Sequence, residues 1–322
     1  MGGMKAAVYE RYGTVDELRI EEVPVPVPAA GEVLVRVVAT SVNLSDWETL
    51  RGSPAYARTS GLFRPGRRIL GSDIAGEVVA VGPGVSRFAV GDAVYGDILQ
   101  RKGGFAEYAV AHESELAAKP AELSFAEAST IPQAGAIAQH GVARGRPGDR
   151  MLVNGAGGGS GMFLIQLATA AGMHVTAVDN GEKLAFMQSL GADDVIDYRT
   201  TDYTRSGPYD VIIDMVARRS MFAYRRALAP GGRFFMVGGT TRALLRALTL
   251  GTLIGAVSGR RIGILAVGEG PEHFEPVAAA CVAGDVGIRI DSEFGLGDIA
   301  AALSHHGEGH ALGKVVVRVA PE

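Results

Sequence analysis

The chain has 322 residues, 47% of them hydrophobic and 20% charged, with 31 Lys and Arg set against 35 Asp and Glu. A net charge of −4 gives no overall electrostatic pull towards nucleic acid or an anionic membrane. Cys281 is the only cysteine, which excludes an intrachain disulfide and any zinc site built on two or more thiolates. This length predicts two domains with ample core. The opening MGGMKAAVYERYG has no apolar signal segment, and Ala6 stands where a myristoylation signal needs a hydroxyl, so the expected location is cytoplasmic.

Residues 4–40 alternate apolar and polar side chains in short runs, Lys5–Tyr9, Leu18–Glu22 and Glu32–Ala39, punctuated by Pro24, Pro26 and Pro28. They predict the strands of a β-rich domain. Ile74–Val81, Asp92–Tyr95 and Phe105–Ala109 continue it, and Ser124–Ala138 predicts the first helix. From Met151 the rhythm changes to strand and helix in alternation. Strands are predicted at 151–154, 175–178, 194–197, 210–214, 233–237 and 262–267, with helices at Met162–Ala171, Lys183–Leu190 and Phe222–Leu228. Six such strands describe an α/β, doubly wound parallel Rossmann sheet. The segment from about 268 ends in GKVVVRVA and is too short for a third domain. Its simplest placement returns it to the first domain, so that the parallel sheet is an insertion.

The chemistry concentrates after the first Rossmann strand, in NGAGGGSG. Gly155, Gly158 and Gly161 repeat at intervals of three, with Gly157, Gly159 and Ser160 as further small residues. Residues 155–161 read as a turn, with the helix starting at Met162. The unpaired N–H groups at that helix start, at the positive end of its dipole, suit a pyrophosphate, and a Cβ would hold the ligand off. No charged residue occurs from Met151 to Val178, but six glycines, Asn154 and Ser160 argue against a membrane span. Asp179 ends the next strand, 20 positions after Gly159, where an acid binds ribose hydroxyls and favours NAD. His305, His306 and His310 have no obvious carboxylate partners and read as a solvated helix end, so no metal is expected.

With these pieces in view, the chain resembles the medium-chain dehydrogenase/reductases, in particular their zinc-free, quinone oxidoreductase-like branch. The likeness runs through MKAAVYERYG, PVPVPAAGEVLVRVVATSVNLSDW, GSDIAGEVVAVGPGVSRFAVGDAVYG, GGFAEYAV, IPQAGAIAQHGV, NGAGGGSG, SLGADDVIDYR, LAPGGRFFMVGG and GHALGKVVV. Asn43 stands where zinc-dependent relatives carry a cysteine, and Gly71-Ser72-Asp73 where they carry Gly-His-Glu. The resemblance implies a GroES-like catalytic domain from 1–121 with 268–322, and a Rossmann domain at 122–267. It implies hydride transfer from NADPH to a quinone or α,β-unsaturated carbonyl. The alternatives are an NAD(H)-dependent alcohol dehydrogenase or enoyl reductase, and a non-catalytic NAD(P)H sensor.

The resemblance also implies roles for particular residues. Lys183 and Tyr198 match residues that grip the 2′-phosphate of NADPH, although Lys183 also reads as an exposed helix start. Asn180 suits either cofactor. Asn43 and Lys314 border the nicotinamide and substrate, and Gly238 and Gly239 let the cofactor approach. Asn43 also reads as a turn residue. Asn43 and Asp46 are the candidate catalytic residues; Asp46 and Trp47 are also candidate pocket residues, and Asp46 reads equally as a helix cap. Glu48 stands where quinone reductases often have a tyrosine, with Tyr56 nearby but out of register. The apolar run Leu244–Val257 is read either as a homodimer contact or cap, or as core.

Overall fold

In the computed structural model, which describes residues 2–321, β1 (Gly3–Val8) and β2 (Arg19–Pro24) pair antiparallel as a separate ribbon. Almost every side chain of β3 (Glu32–Ser41) is buried, because this strand lies inside a sheet whose faces are both covered. It runs directly into α1 (Leu44–Arg51). Asn43 holds the extended conformation of an N-cap and its N–H donates to Asp46 Oδ2 at 3.1 Å, while Gly52 ends the helix with φ 58°. β4 (Asp73–Val81) and β5 (Ala93–Asp97) follow antiparallel, then β6 (Tyr108–His112) on β3 and β7 (Leu116–Ala118) on β5. Residues 124–138 are not one helix. They form α2 (Phe125–Ser129) and the start of α3 (Pro132–Val142), because proline has no N–H and disfavours a helical residue before it.

The parallel sheet is built from β8 (Arg150–Asn154), α4 (Gly159–Ala170), β9 (His174–Asp179), α5 (Leu184–Ser189) and β10 (Asp194–Asp197). It continues with β11 (Tyr209–Asp214), α6 (Met221–Ala227), β12 (Leu228–Met236), α7 (Thr241–Arg246), α8 (Thr252–Ser258) and β13 (Arg261–Ile264). All pairs are parallel, in the order β10-β9-β8-β11-β12-β13. The order in which strands are added reverses between β8 and β11, outward to β10 on one side and to β13 on the other, so the crevice beyond their carboxyl ends is the ligand position of such a sheet. Leu152, Ile212 and Phe234 fill the core, where Phe234 lies 4.0 Å from the Tyr224 ring. β13 ends three residues short of the predicted 267.

α4 begins at Gly159, three residues before its predicted start. The glycine turn therefore includes the first turn of the helix. A Cβ on Gly161 would stand 2.3 Å from the Ala156 carbonyl oxygen, so only glycine lets the helix sit down on the loop. Leu244–Val257 becomes α7, a π-helical turn (Ala247–Gly251) and α8. Ala247 and Gly251 pack inward, Gly251 so closely that a Cβ would meet Ile262 at 2.6 Å, while Leu245, Leu248, Leu253 and Val257 are exposed.

The last segment supplies α9 (Glu275–Ala283), β14 (Ile290–Gly295), α10 (Ile299–Gly307) and β15 (Lys314–Arg318). β15 pairs antiparallel with β3, giving the sheet order β14-β15-β3-β4-β5-β7. The two compact units are Met1–Ala134 with Gly268–Glu322, and Gly135–Val267. Residues 122–134 thus group with the first unit, where Ala126 packs with Ala39 of β3 and Val316 of β15. The histidine cluster does find a carboxylate: His305 Nε2 lies 2.6 Å from Asp291 Oδ2 on β14.

Candidate functional site

In the second unit, the carboxyl ends of β8, β9, β10 and β12 carry the sequence-predicted cofactor residues. Gly155 takes φ +82° and Gly239 φ +118°, and both lie against the turn Met215–Ala217 after β11. Gly238 touches the same turn only loosely, leaving open space above the backbone. Gly158 is the N-cap of α4, so the N–H groups of Gly159, Ser160 and Gly161 form its free first turn. That cradle fits a pyrophosphate by geometry and by dipole.

Asp179 closes the other side. Its Oδ2 accepts the Gly157 N–H at 3.0 Å and its Oδ1 accepts the Asn180 N–H at 2.8 Å. Lys183 is 6% exposed, not a surface residue, and its Nζ stands 4.0 Å from Asp179 Oδ2. Its stem crosses Gly157, where a Cβ would meet Lys183 Cδ at 2.4 Å. Gly157 has this role only in the folded chain, since the sequence marks it merely as one more glycine. The Asn180 side chain accepts the Glu182 N–H and shapes the turn into α5. Tyr198 follows β10, its N–H bonded to the Asp179 carbonyl at 3.1 Å, and is 41% exposed. Beside it the exposed Arg199, overlooked in the sequence, reaches Glu182 at 3.9 Å.

Asp214, the last residue of β11, is the other functional group the sequence hides. Oδ1 accepts from Asn154 Nδ2 at 2.8 Å, Val216 N at 2.8 Å and Ala217 N at 2.6 Å; Oδ2 accepts from Tyr224 at 2.7 Å. The carboxylate ties β8 to β11 and fixes the turn under Gly155 and Gly239, with Ala217 held at φ +50°.

In the first unit, strand ends bring a second set together. Asp73 Oδ2 accepts from Asn43 Nδ2 at 2.8 Å, Ser41 Oγ at 3.2 Å and Lys314 Nζ at 3.4 Å; Oδ1 accepts from Gln133 N at 3.0 Å. Lys314 is 1% exposed and also donates to Asn43 Oδ1 at 2.7 Å. Asp46 is fully buried, and its Oδ1 accepts from Gly71 N at 3.1 Å and Lys102 Nζ at 2.9 Å. Asn43 is thus joined to both Asp46 and Lys314, and each of the three has its polar atoms engaged by protein. Burial pushes Asp73 up and Lys314 down, and each pulls the other back. Lys102, at the strained φ of 60°, carried no sequence signal beyond being one of few lysines. Trp47 packs on Gly307 and under Arg51. Tyr56, out of register in sequence, reaches Glu48 at 3.2 Å; burial lifts that carboxyl to about 7.

Asp97 sits directly opposite Asp73 in the β4–β5 register, and its Oδ1 is a buried atom with no hydrogen-bond partner among the described residues. Burial, then the Asp73 charge, raises Asp97 from 3.8 to about 8. The folded chain thus keeps a proton that the unfolded chain has released. Stability is fullest below pH 3.8, falls as pH rises through 3.8 to about 8, and then levels. Asp97→Asn should remove that slope and stabilise the chain on the order of 2 kcal/mol at pH 9, with little change at pH 4. Urea unfolding at both pH values measures this; equal slopes in both proteins would contradict it.

Residues 29–121 match the alcohol dehydrogenase GroES-like domain and residues 190–317 the family described as zinc-binding dehydrogenase. The chain is 33% identical to a chloroplast quinone-oxidoreductase of Triphysaria versicolor, over 98% of both chains. The chain belongs to the medium-chain dehydrogenase/reductases, in their zinc-free, quinone oxidoreductase-like branch. It is an oxidoreductase of a family that uses nicotinamide cofactors. An NADPH-dependent alkenal/one oxidoreductase of Arabidopsis thaliana is 32% identical over 99% of this chain and 80% of its own. The solved quinone oxidoreductase of Coxiella burnetii superposes with a TM-score of 0.89 at 27% identity, covering 98% of this chain and 99% of its own. The zinc of the wider dehydrogenase family does not fit this member's residues. Asn43, Ser72 and Asp73 offer one carboxylate, already held by an ammonium, with no thiolate or imidazole beside it. Among the described residues, no group of three or more His, Cys, Asp or Glu is arranged to hold a metal.

Proposed function

We propose that this oxidoreductase transfers a hydride from NADPH to a quinone or an α,β-unsaturated carbonyl. The observation that carries the reading is the donor set around Asp73, which is closed by Lys314 and cannot take up a Lewis acid. Alkoxide oxidation leans on such an acid, whereas an acceptor that is already electrophilic does not. Relatives named for quinone and alkenal reduction support the same class. The bound dihydronicotinamide would supply the hydride; the chain's part is to bind, orient and exclude water. Asn43 and Asp46 then act as positioning residues that hold α1 and its surroundings. Glu48 and Tyr56, half-buried on and beside α1, are the accessible acid pair for protonating the reduced acceptor.

For NADPH over NADH the support is Asp179. Both its oxygens are engaged by backbone N–H groups and Lys183 offsets its charge, so its repulsion of a 2′-phosphate is small. Lys183, Tyr198 and Arg199 supply the matching cation and hydroxyl groups. Lys183→Ala should weaken NADPH binding about tenfold or more and leave NADH nearly unchanged, measured by calorimetric titration. Equal losses for both cofactors would instead mark Lys183 as a scaffold for the glycine turn. Turnover tests the activity: NADPH oxidation that depends on an added quinone or enone supports an enzyme, and tight cofactor binding without it supports a sensor.

A further inference from the structure

Between Thr49 and Ser72 the chain contains no Asp or Glu but five arginines, although acids outnumber bases in the whole sequence. The fold makes a braced tip of this stretch. Gly61 and Gly66 close it: a Cβ on Gly61 would stand 2.1 Å from the Arg64 carbonyl oxygen, and one on Gly66 2.0 Å from that of Ser60. Arg58 is spent inward, stacked 4.8 Å over Tyr12 and donating to the carbonyls of Gly52 at 2.8 Å and Leu62 at 3.3 Å. The Tyr12 hydroxyl donates to Gly61, and Arg68 is paired with Glu10 and Glu21. What this bracing holds outside is Leu62 and Phe63, 65% and 86% exposed. Arg64 and Arg67 flank them with no ion-pair partner among the described residues.

We propose that this tip is a docking surface for an anionic phospholipid bilayer. Two adjacent apolar side chains at the apex suit the headgroup–acyl boundary, and the guanidiniums behind them suit lipid phosphates. A nucleic acid would use the arginines but leave Leu62 in water. A second copy would bring the same positive charges face to face. No helix among the described residues is long and apolar enough to cross a membrane, so the contact is peripheral. The chain's negative total charge conceals the patch, because screening confines its field to about 8–10 Å.

The test is flotation of the whole protein with vesicles of phosphatidylglycerol and phosphatidylcholine, against vesicles of phosphatidylcholine alone. Wild type should float with the anionic vesicles only, and added salt should weaken it. Arg64→Ser/Arg67→Ser should lower partitioning about 30-fold. Leu62→Ser/Phe63→Ser should lower it about tenfold or more. Unchanged cofactor binding would show both variants folded. Absence of wild-type binding, equal binding to both vesicle types, or indifference to both substitutions would overturn the proposal. Flotation needs no turnover, so its result stands apart from the quinone and enone reading.

Discussion

Lys314→Met is expected to lower the free energy of unfolding by about 3–5 kcal/mol at pH 8, with a smaller loss near pH 5. Lys314 and Lys102 are the two cations among three acids, Asp46, Asp73 and Asp97, in the interior of the first unit. Methionine fills the space of the lysine stem but leaves Asp73 facing Asp97 with no ammonium. Burial already raises Asp73, so the variant answers by taking up a proton. That proton is freely available at low pH and costly to hold at high pH, which is why the loss must grow as pH rises. Lys314→Met/Asp73→Asn removes both charges and should recover most of the stability. Urea unfolding of the set at pH 5 and pH 8 measures the coupling. A single-variant loss under about 1 kcal/mol at pH 8 would mean that Lys314 is not the counter-charge of Asp73.

Asp214→Ala should cost about 3–4 kcal/mol and also weaken cofactor binding. The substitution strips acceptors from Asn154, from the N–H of Ala217 and from Tyr224, all buried, and from the part-buried N–H of Val216. Tyr224 does not ionise to compensate: burial and the Asp214 charge push its phenol far up, so it stays a donor. The turn Met215–Ala217 loses its anchor while Gly155 and Gly239 rest on it, so the cradle shifts with the turn. An increase of about tenfold in the NADPH dissociation constant is expected, since misplacement by an ångström is enough for losses of that size. Calorimetric titration and urea unfolding read the two effects separately. A variant that is destabilised yet binds normally would confine Asp214 to a structural role.

The parallel sheet was readable because its signals are local. Met151–Asn154 is a continuous apolar run, the following glycines forbid a long regular element, and Asp179 falls at the expected interval. Where the reading slipped, the cause was a contact with distant chain. Gly159–Gly161 are poor helix formers, yet they start α4, because close approach to Ala156 outweighs their entropy cost. Residues 122–134 look like a prelude to the Rossmann half but pack with β3 and β15. Tyr56 and Glu48 are eight residues apart and meet only because the chain doubles back after α1.

By itself, the sequence determined the class of fold, the order of its strands along the chain and the glycine turn that accepts a pyrophosphate. Each follows from periodicity, backbone freedom or charge within a few residues, and such terms act whatever the rest of the chain does. Which polar groups are shielded from water, and which cations they meet, depends on how the strands pack. Lys183, Lys102 and Lys314 are three of five lysines, and only the family resemblance singles out Lys183 and Lys314. Burial places one over the glycine turn and the other two against Asp46 and Asp73, at separations of 56 and 241 residues. The energy of a buried charge depends on the dielectric and the partner around it, and neither exists until the strands have packed.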